Sequence, residues 1–418
     1  MKKIFAIVAS FLMMMGSLSP VLAAENNPSV VETTASNITA KSAIAVDENT
    51  GQVLYSKDPN TVRPIASMSK VIAAYLIMKS VKDGDMTWNQ KVSISKSLET
   101  VSANNELTNV PLSASQTYTV RNLLNASLIY SANAAILALG KAQAGSSEKF
   151  VDEMRTTVKN WGIKDAKLYN AAGLLENQVG DEKYPGTSGE VENEMSAKDM
   201  AVVVTHVLKE FPEILNITKI QKSTFNTGTE ELEITNHNEL LKGAAQFEAK
   251  YQVDGLKTGT SEKAGEDFSA TGTVNGRRVI SVVLGSNENQ RFADTKLIWN
   301  ALMTKLTILN TTLKGQTSVK INSAKTAKVK LELAQPLSYW VPKGQGGELQ
   351  VSGVKLNNKK QKAPIKHSKI IAAANVKSGK DQFLETNRGV HVYLKPTKDV
   401  ESANVFVQFA RYVSNLFN

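Results

Sequence analysis

Ser67-Met68-Ser69-Lys70-Val71-Ile72-Ala73-Ala74-Tyr75-Leu76-Ile77-Met78 is the stretch on which the fold turns. From Val71 onward it is apolar on every side, the pattern of a helix at the centre of a domain. Ser67 opens it and Lys70 follows three residues later, so one helix presents both side chains on the same face. A serine hydroxyl is a weak nucleophile until a base takes its proton. A lysine in apolar surroundings is desolvated, which favours the neutral amine that a base requires. Two further motifs follow in order, Ser131-Ala132-Asn133 at the end of an apolar run and Lys257-Thr258-Gly259 in a strand-like segment. The Ser131 hydroxyl can relay a proton, and the Asn133 carboxamide can hydrogen-bond a substrate amide or hold the lysine. Lys257 and Thr258 suit a substrate carboxylate, and Gly259 would let an extended peptide approach the strand closely. Taken singly, each motif also admits a plain reading, with the serines and the asparagine as helix caps and the lysines as solvated charges. All three in this order read as a serine acyl-transferase acting on a peptide.

Around the motifs, strands at both ends with helices between them indicate an α+β domain over roughly 41–312. Residues 42–46 and 52–55 flank a turn ending in Gly51, a hairpin pattern. Residues 120–139 read as a helical pair broken near Tyr130-Ser131-Ala132-Asn133. Ser196 is the N-cap of another helix. Strands are expected over 253–260, 267–274 and 278–284, the last two joined at Asn275-Gly276, with a helix over 293–308. Composition shifts at Lys314-Gly315 to Lys-rich, short alternating runs, which predict a small β-sandwich over 313–396. In the last segment, 397–418, Val405, Phe406, Phe409, Tyr412, Val413, Leu416 and Phe417 recur every three to four residues, an amphipathic helix.

Of the 418 residues, 42% are hydrophobic and 21% charged, as in ordinary globular proteins. Lys2 and Lys3, an apolar run over 4–18 and Val21-Leu22-Ala23 form an export signal over 1–23, followed by a Ser/Thr/Asn-rich linker over 24–40. The mature protein is therefore expected outside the cytoplasm. There are no cysteines, which excludes thiol catalysis and thiolate metal sites. Four histidines without zinc-protease spacing make a zinc hydrolase a poor reading. The formal net charge is +10, of which the signal lysines supply two. That favours anionic surroundings such as acidic lipid headgroups or wall polymers. No nucleic-acid-binding motif accompanies the charge.

Together these motifs resemble those of the D-alanyl-D-alanine carboxypeptidases among the low-molecular-mass penicillin-binding proteins, with Ser-Ala-Asn as the middle motif. The resemblance spans roughly 42–308 and includes Ala172-Gly173-Leu174, Ser196-Ala197-Lys198-Asp199-Met200-Ala201 and Val253-Asp254-Gly255-Leu256-Lys257-Thr258-Gly259. It implies a penicillin-binding-protein/β-lactamase-like domain, an antiparallel sheet with helices. It also implies that Ser67 attacks the carbonyl between two D-alanines of a peptidoglycan stem peptide and forms an acyl-enzyme. Lys70 would be the base, Ser131 the relay and Asn133 a positioning residue. The backbone N–H groups of Ser67 and Thr260 would form the oxyanion hole. Lys257, Thr258 and Arg291, beside Gly259, would surround the terminal carboxylate. β-Lactam antibiotics would be covalent inhibitors, with no cofactor, metal or nucleic acid involved. His237 falls where some members carry an arginine facing the site, and it is expected to be structural. Two alternatives stay open. A β-lactamase would need a deacylating glutamate, for which Glu176 is the candidate, although no Glu-x-x-x-Asn surrounds it. A non-catalytic wall-binding protein would act through its β-domain. The family commonly anchors itself by a terminal helix in the membrane interface, and Lys395, Lys398 and Arg411 flank such a helix here; docking on the β-domain is the other use for it.

Overall fold

The computed structural model describes residues 37–313, 317–344, 349–379, 382–384 and 389–414. The expected export signal and all but the last four residues of the expected linker lie outside the described residues. Those last residues are not slack chain. Ile38 and Ala40 are buried, and the Asp294 carboxylate accepts the N–H groups of Thr39 and Ala40 and the Thr39 hydroxyl at 2.8–2.9 Å. Two apolar residues within the polar run are enough to tie it down, and their anchor lies about 255 positions away in sequence.

The first domain is built on a five-stranded antiparallel sheet. Its strands are β1 (Ser42–Asp47), β2 (Val53–Lys57), β3 (Val253–Ser261), β4 (Gly265–Val274) and β5 (Arg277–Ser286), in the spatial order β2-β1-β5-β4-β3. Asn275 and Gly276 both have positive φ, 49° and 75°, as a two-residue turn between twisted strands requires. Every residue of β1 is buried because helices cover both faces of the sheet. One face carries α4 (Ala197–Glu210), capped by Ser196 as expected, and the other carries α5 (Arg291–Lys305). Between the sheet and the remaining helices lies α1 (Ser69–Asp83), in which eleven of fifteen residues are buried. The expected helical pair is α2 (Val120–Ile129) and α3 (Asn133–Ala144), broken at Ser131.

Two boundaries differ from expectation. Ser67 does not open α1; it sits in a 3₁₀ turn, Ala66–Met68, just before it. The helix expected over 293–308 begins and ends earlier, and the chain passes straight from Lys305 into β6 (Leu306–Thr311). Leu306, Thr307 and Ile308 suit a strand, and β6 pairs along its whole length with a strand of the second domain.

That second domain is all β. Strands β7 (Thr317–Lys320), β8 (Lys328–Leu333), β10 (Leu349–Leu356), β11 (Ala372–Ser378) and β12 (Val390–Pro396) form a sheet in the order β7-β8-β12-β11-β10, and β6 pairs with β9 (Leu337–Pro342). Leu331, Tyr339, Ala372, Val376 and Leu394 lie at its core. The two domains share a polar seam. Gln52 and Trp340 exchange two hydrogen bonds, and Trp340 Nε1 donates to Asp47 at 2.7 Å. Asp47 also takes a bidentate pair from Arg277, and the N–H of Leu384 reaches Gly51 O at 2.8 Å.

The terminal helix, α6, runs over Val405–Ser414. Residues 397–404, expected within it, belong to the β-domain instead. Val400 and Ile365 exchange backbone hydrogen bonds, and Ala403 N donates to Ser323 O. The Asp399 carboxylate accepts from the backbone of His367 and from Lys366, which holds its pKa below the usual carboxylate range. Leu416 and Phe417 lie outside the described residues.

Candidate active site

The site is assembled where the Ala66–Met68 turn, the α2–α3 break and the end of β3 converge. Lys70 is fully buried on the first turn of α1. Its Nζ lies 2.7 Å from Ser67 Oγ, 2.6 Å from Asn133 Oδ1 and 3.0 Å from the carbonyl of Ala172. Two of these three partners are carbonyl oxygens and can only accept. An amine that donates to both has its lone pair left for the third partner, a hydroxyl able to donate. Burial, and then the positive charge of Lys257, push the Lys70 pKa well below the ordinary lysine value. The three contacts accommodate a neutral amine facing the Ser67 proton, and burial favours it over the ammonium.

Asn133 accepts from Lys70 and donates through Nδ2 to Thr108 O at 2.9 Å. Of the two uses left open for it, the structure shows the hold on the lysine. It is 3% exposed and is absent from the lining of the groove. Ser131 lines the groove with Ser67. Its φ of +66° is a conformation that side-chain-bearing residues rarely adopt, and such strain is typically kept where it positions a functional group.

Lys257 is buried on β3 and donates to the carbonyl of Thr258 at 3.0 Å. Burial, and then the neighbouring Arg291, lower its pKa to about 7. Thr258, Gly259 and Thr260 line the groove. Gly259 has a second use besides the expected one. A Cβ there would stand 2.9 Å from Ile65 O and 3.4 Å from Ala66 Cβ. The absent side chain thus lets β3 approach the nucleophile turn, while Gly259 also lines the groove. Arg291 also enters the groove, at the start of α5. Its Nη1 donates to Gly259 O at 2.8 Å and its Nη2 to Thr260 Oγ1 at 2.9 Å, and it pairs with Glu266 at 2.8 Å. It fixes the end of β3 as well as supplying charge.

His237 stands at the rim with its ring stacked on Tyr130 and Nε2 3.1 Å from Tyr130 O. A carbonyl can only accept, so Nε2 carries the proton. Partial burial and the nearby Lys257 lower its pKa. It steadies the residue preceding Ser131, which fits a supporting role.

Sequence reasoning noted Ala172-Gly173-Leu174 and Glu176 but missed Asn170 and the way this loop closes the site from behind. Asn170 Oδ1 accepts the N–H groups of Ala172, Gly173 and Leu174, which fixes the Ala172 carbonyl under Lys70. Gly173 has φ +76°, and a Cβ on it would lie 1.9 Å from Ala66 O. Glu176 is buried beside them, and its oxygens are taken by Asn170 Nδ2, Tyr184 N and Thr187 Oγ1. An asparagine two residues before Ala172-Gly173 is the available signal, since such side chains bond their own backbone a few residues on.

The groove holds about 270 Å³ and is lined by Ser67, Ser131, His237, Thr258, Thr260 and Arg291 among others. No cluster of metal-ligating residues occurs among the described residues.

Comparisons with known proteins identify the family. The family model of D-alanyl-D-alanine carboxypeptidase (peptidase S11) matches residues 29–288, and that of the penicillin-binding protein 5 C-terminal domain matches 304–402. The D-alanyl-D-alanine carboxypeptidase DacF of Bacillus subtilis is 27% identical over 310 residues, 73% of each chain. A peptidoglycan synthesis regulatory factor (PBP3) from Streptococcus pneumoniae superimposes with a TM-score of 0.74 at 32% identity, covering 87% of this chain and 99% of that one. Penicillin-binding protein D2 from Listeria monocytogenes, solved in an ampicillin-bound form, gives 0.52 at 28% identity over 63% of this chain and 97% of its own. The chain belongs to the D-alanyl-D-alanine carboxypeptidase family of serine peptidases.

Proposed function

We propose that the protein removes the terminal D-alanine from peptidoglycan stem peptides through an acyl-enzyme on Ser67. The observation that carries this reading is the 2.7 Å contact between Ser67 Oγ and a buried Lys70 that lacks any carboxylate partner among the described residues. Lys70 takes the Ser67 proton as Oγ bonds to the carbonyl carbon between the two D-alanines. The proton then passes through the Ser131 hydroxyl to the departing amine, the C–N bond breaks and free D-alanine leaves. Water cleaves the ester and restores Ser67. The backbone N–H groups of Ser67 and Thr260 hold the oxyanion. Lys257, Thr258 and Arg291 receive the terminal carboxylate.

The same route accounts for covalent capture of β-lactams. Slow release is favoured over β-lactamase turnover because Glu176, the candidate deacylating base, is spent on its own loop and lies outside the groove lining.

We place the mature protein on the outer face of the cytoplasmic membrane, held by α6. Arg411 donates to the carbonyls of Asn322 and Ala324, and Gln408 Nε2 to that of Ala403, so the polar face meets the β-domain. Phe406 and Phe409 on the other face are 86% and 67% exposed. A helix docked by its apolar stripe would bury these rings; one seated in a membrane interface presents them outward.

Three outcomes are expected. Ser67→Ala should abolish both labelling by fluorescent penicillin and D-alanine release from a peptide ending in D-Ala-D-Ala, with an unchanged thermal transition; near-normal labelling would place the nucleophile elsewhere. Arg291→Ala should lower kcat/KM by about one to two decades on that peptide, from the roughly 1.5–3 kcal/mol of a charge-assisted bond, and less on its C-terminal amide. Equal loss on both would leave Arg291 a purely structural task. A chain ending at Asn404 should fold, label with penicillin and no longer sediment with anionic liposomes, whereas unchanged sedimentation would refute the anchor.

A further inference from the structure

The substrate groove is not the largest hollow in the molecule. A cleft of about 1100 Å³ lies between the turn after β1, the C-terminal end of α4 and the face of β10–β12. None of the groups assigned to catalysis lines it. Phe383, Leu384 and Gly51 line its base, where the two domains are joined by backbone hydrogen bonds. Its two walls therefore hold a fixed relation.

Cations converge on this cleft from both domains. Lys209 comes from α4, Lys355 from β10 and Lys377 from β11, with His206 and His391 beside them. Glu48 is the one carboxylate among the described lining residues. Elsewhere lysines such as Lys141, Lys167 and Lys325 lie against a carboxylate. Lys355 and Lys377 have no such partner among the described residues, while Lys209 lies within electrostatic reach of Glu48. A solvated face of one helix or strand would not gather lysines from three elements of two domains around one hollow. Asn49 and Asn375 add carboxamides to the lining, donors and acceptors suited to sugar hydroxyls.

We propose that the cleft binds a glycan strand bearing carboxylates, the polymeric form of the substrate whose peptide ends are cut in the groove. The identity of that polymer rests on the proposed carboxypeptidase function. Cations of this kind raise local concentration and fix orientation, and their contribution falls with salt. The cleft would thus give preference for polymer over free peptide without touching the chemistry.

The test compares the full chain with Lys355→Glu/Lys377→Glu, and with the milder Lys355→Gln/Lys377→Gln. Substrates are a soluble D-Ala-D-Ala peptide and purified peptidoglycan stripped of phosphate-containing polymers by acid. Both variants should hydrolyse the soluble peptide at the normal rate. The charge-reversed variant should sediment with the stripped polymer and release D-alanine from it roughly tenfold less well, with the neutral variant between. Wild-type and charge-reversed proteins that act equally on the polymer would overturn the proposal. So would wild-type binding that vanishes when the phosphate polymers are stripped, which would make the ligand a phosphodiester chain. Failure of the wild type on the soluble peptide would instead defeat the proposed activity, whatever the polymer binding.

Discussion

Two lysine side chains, Lys70 and Lys257, are buried near one another with no carboxylate among the described residues to pair with either. Removing an ammonium from water costs on the order of several kcal/mol even after relaxation. A fold can retain such groups by supplying a counter-charge or by letting the proton go. Here the partners of Lys70 are a carboxamide oxygen, a backbone carbonyl and a hydroxyl, all uncharged. That choice sets the chemistry. A carboxylate in the place of Asn133 would stabilise the ammonium and leave Ser67 without a base.

Much of the surrounding structure serves to hold those neutral partners in place. Asn133 is fixed by Thr108 O and by its position at the start of α3. The Ala172 carbonyl is fixed by Asn170, which Glu176 holds in turn. Two glycines, Gly173 and Gly259, allow the loop and β3 to press against the Ala66–Met68 turn from different sides. Arg291 ties the end of β3 to α5. The nucleophile is thus clamped before any substrate arrives, which is the preorganisation that catalysis by positioned groups demands.

What could be read from the sequence was local. The apolar run after Lys70 specified a central helix because no face of it could be wetted. Asn275-Gly276 and Ser196 announced a turn and a cap through their own backbone chemistry. The fold brings the three motifs together, two of them at breaks between elements and the third within β3. The rest depended on partners far along the chain. Nothing near Gly259 signals the carbonyl of Ile65, and nothing near Thr39 signals Asp294. Leu306–Thr311 continued the preceding helical pattern until Leu337–Pro342 drew it into a strand. Asn133 had two chemically reasonable partners, and only the fold decides between them.

The central claim is that burial makes Lys70 give up its proton far more readily than an ordinary lysine. It is tested most directly by NMR titration of the protein labelled with [13Cε]lysine, the Lys70 signal being assigned by its absence in Lys70→Gln. The account predicts that the Lys70 signal titrates well below 10.4, the ordinary lysine value. An ammonium shift that persists until the pH rises to about 10 would contradict it.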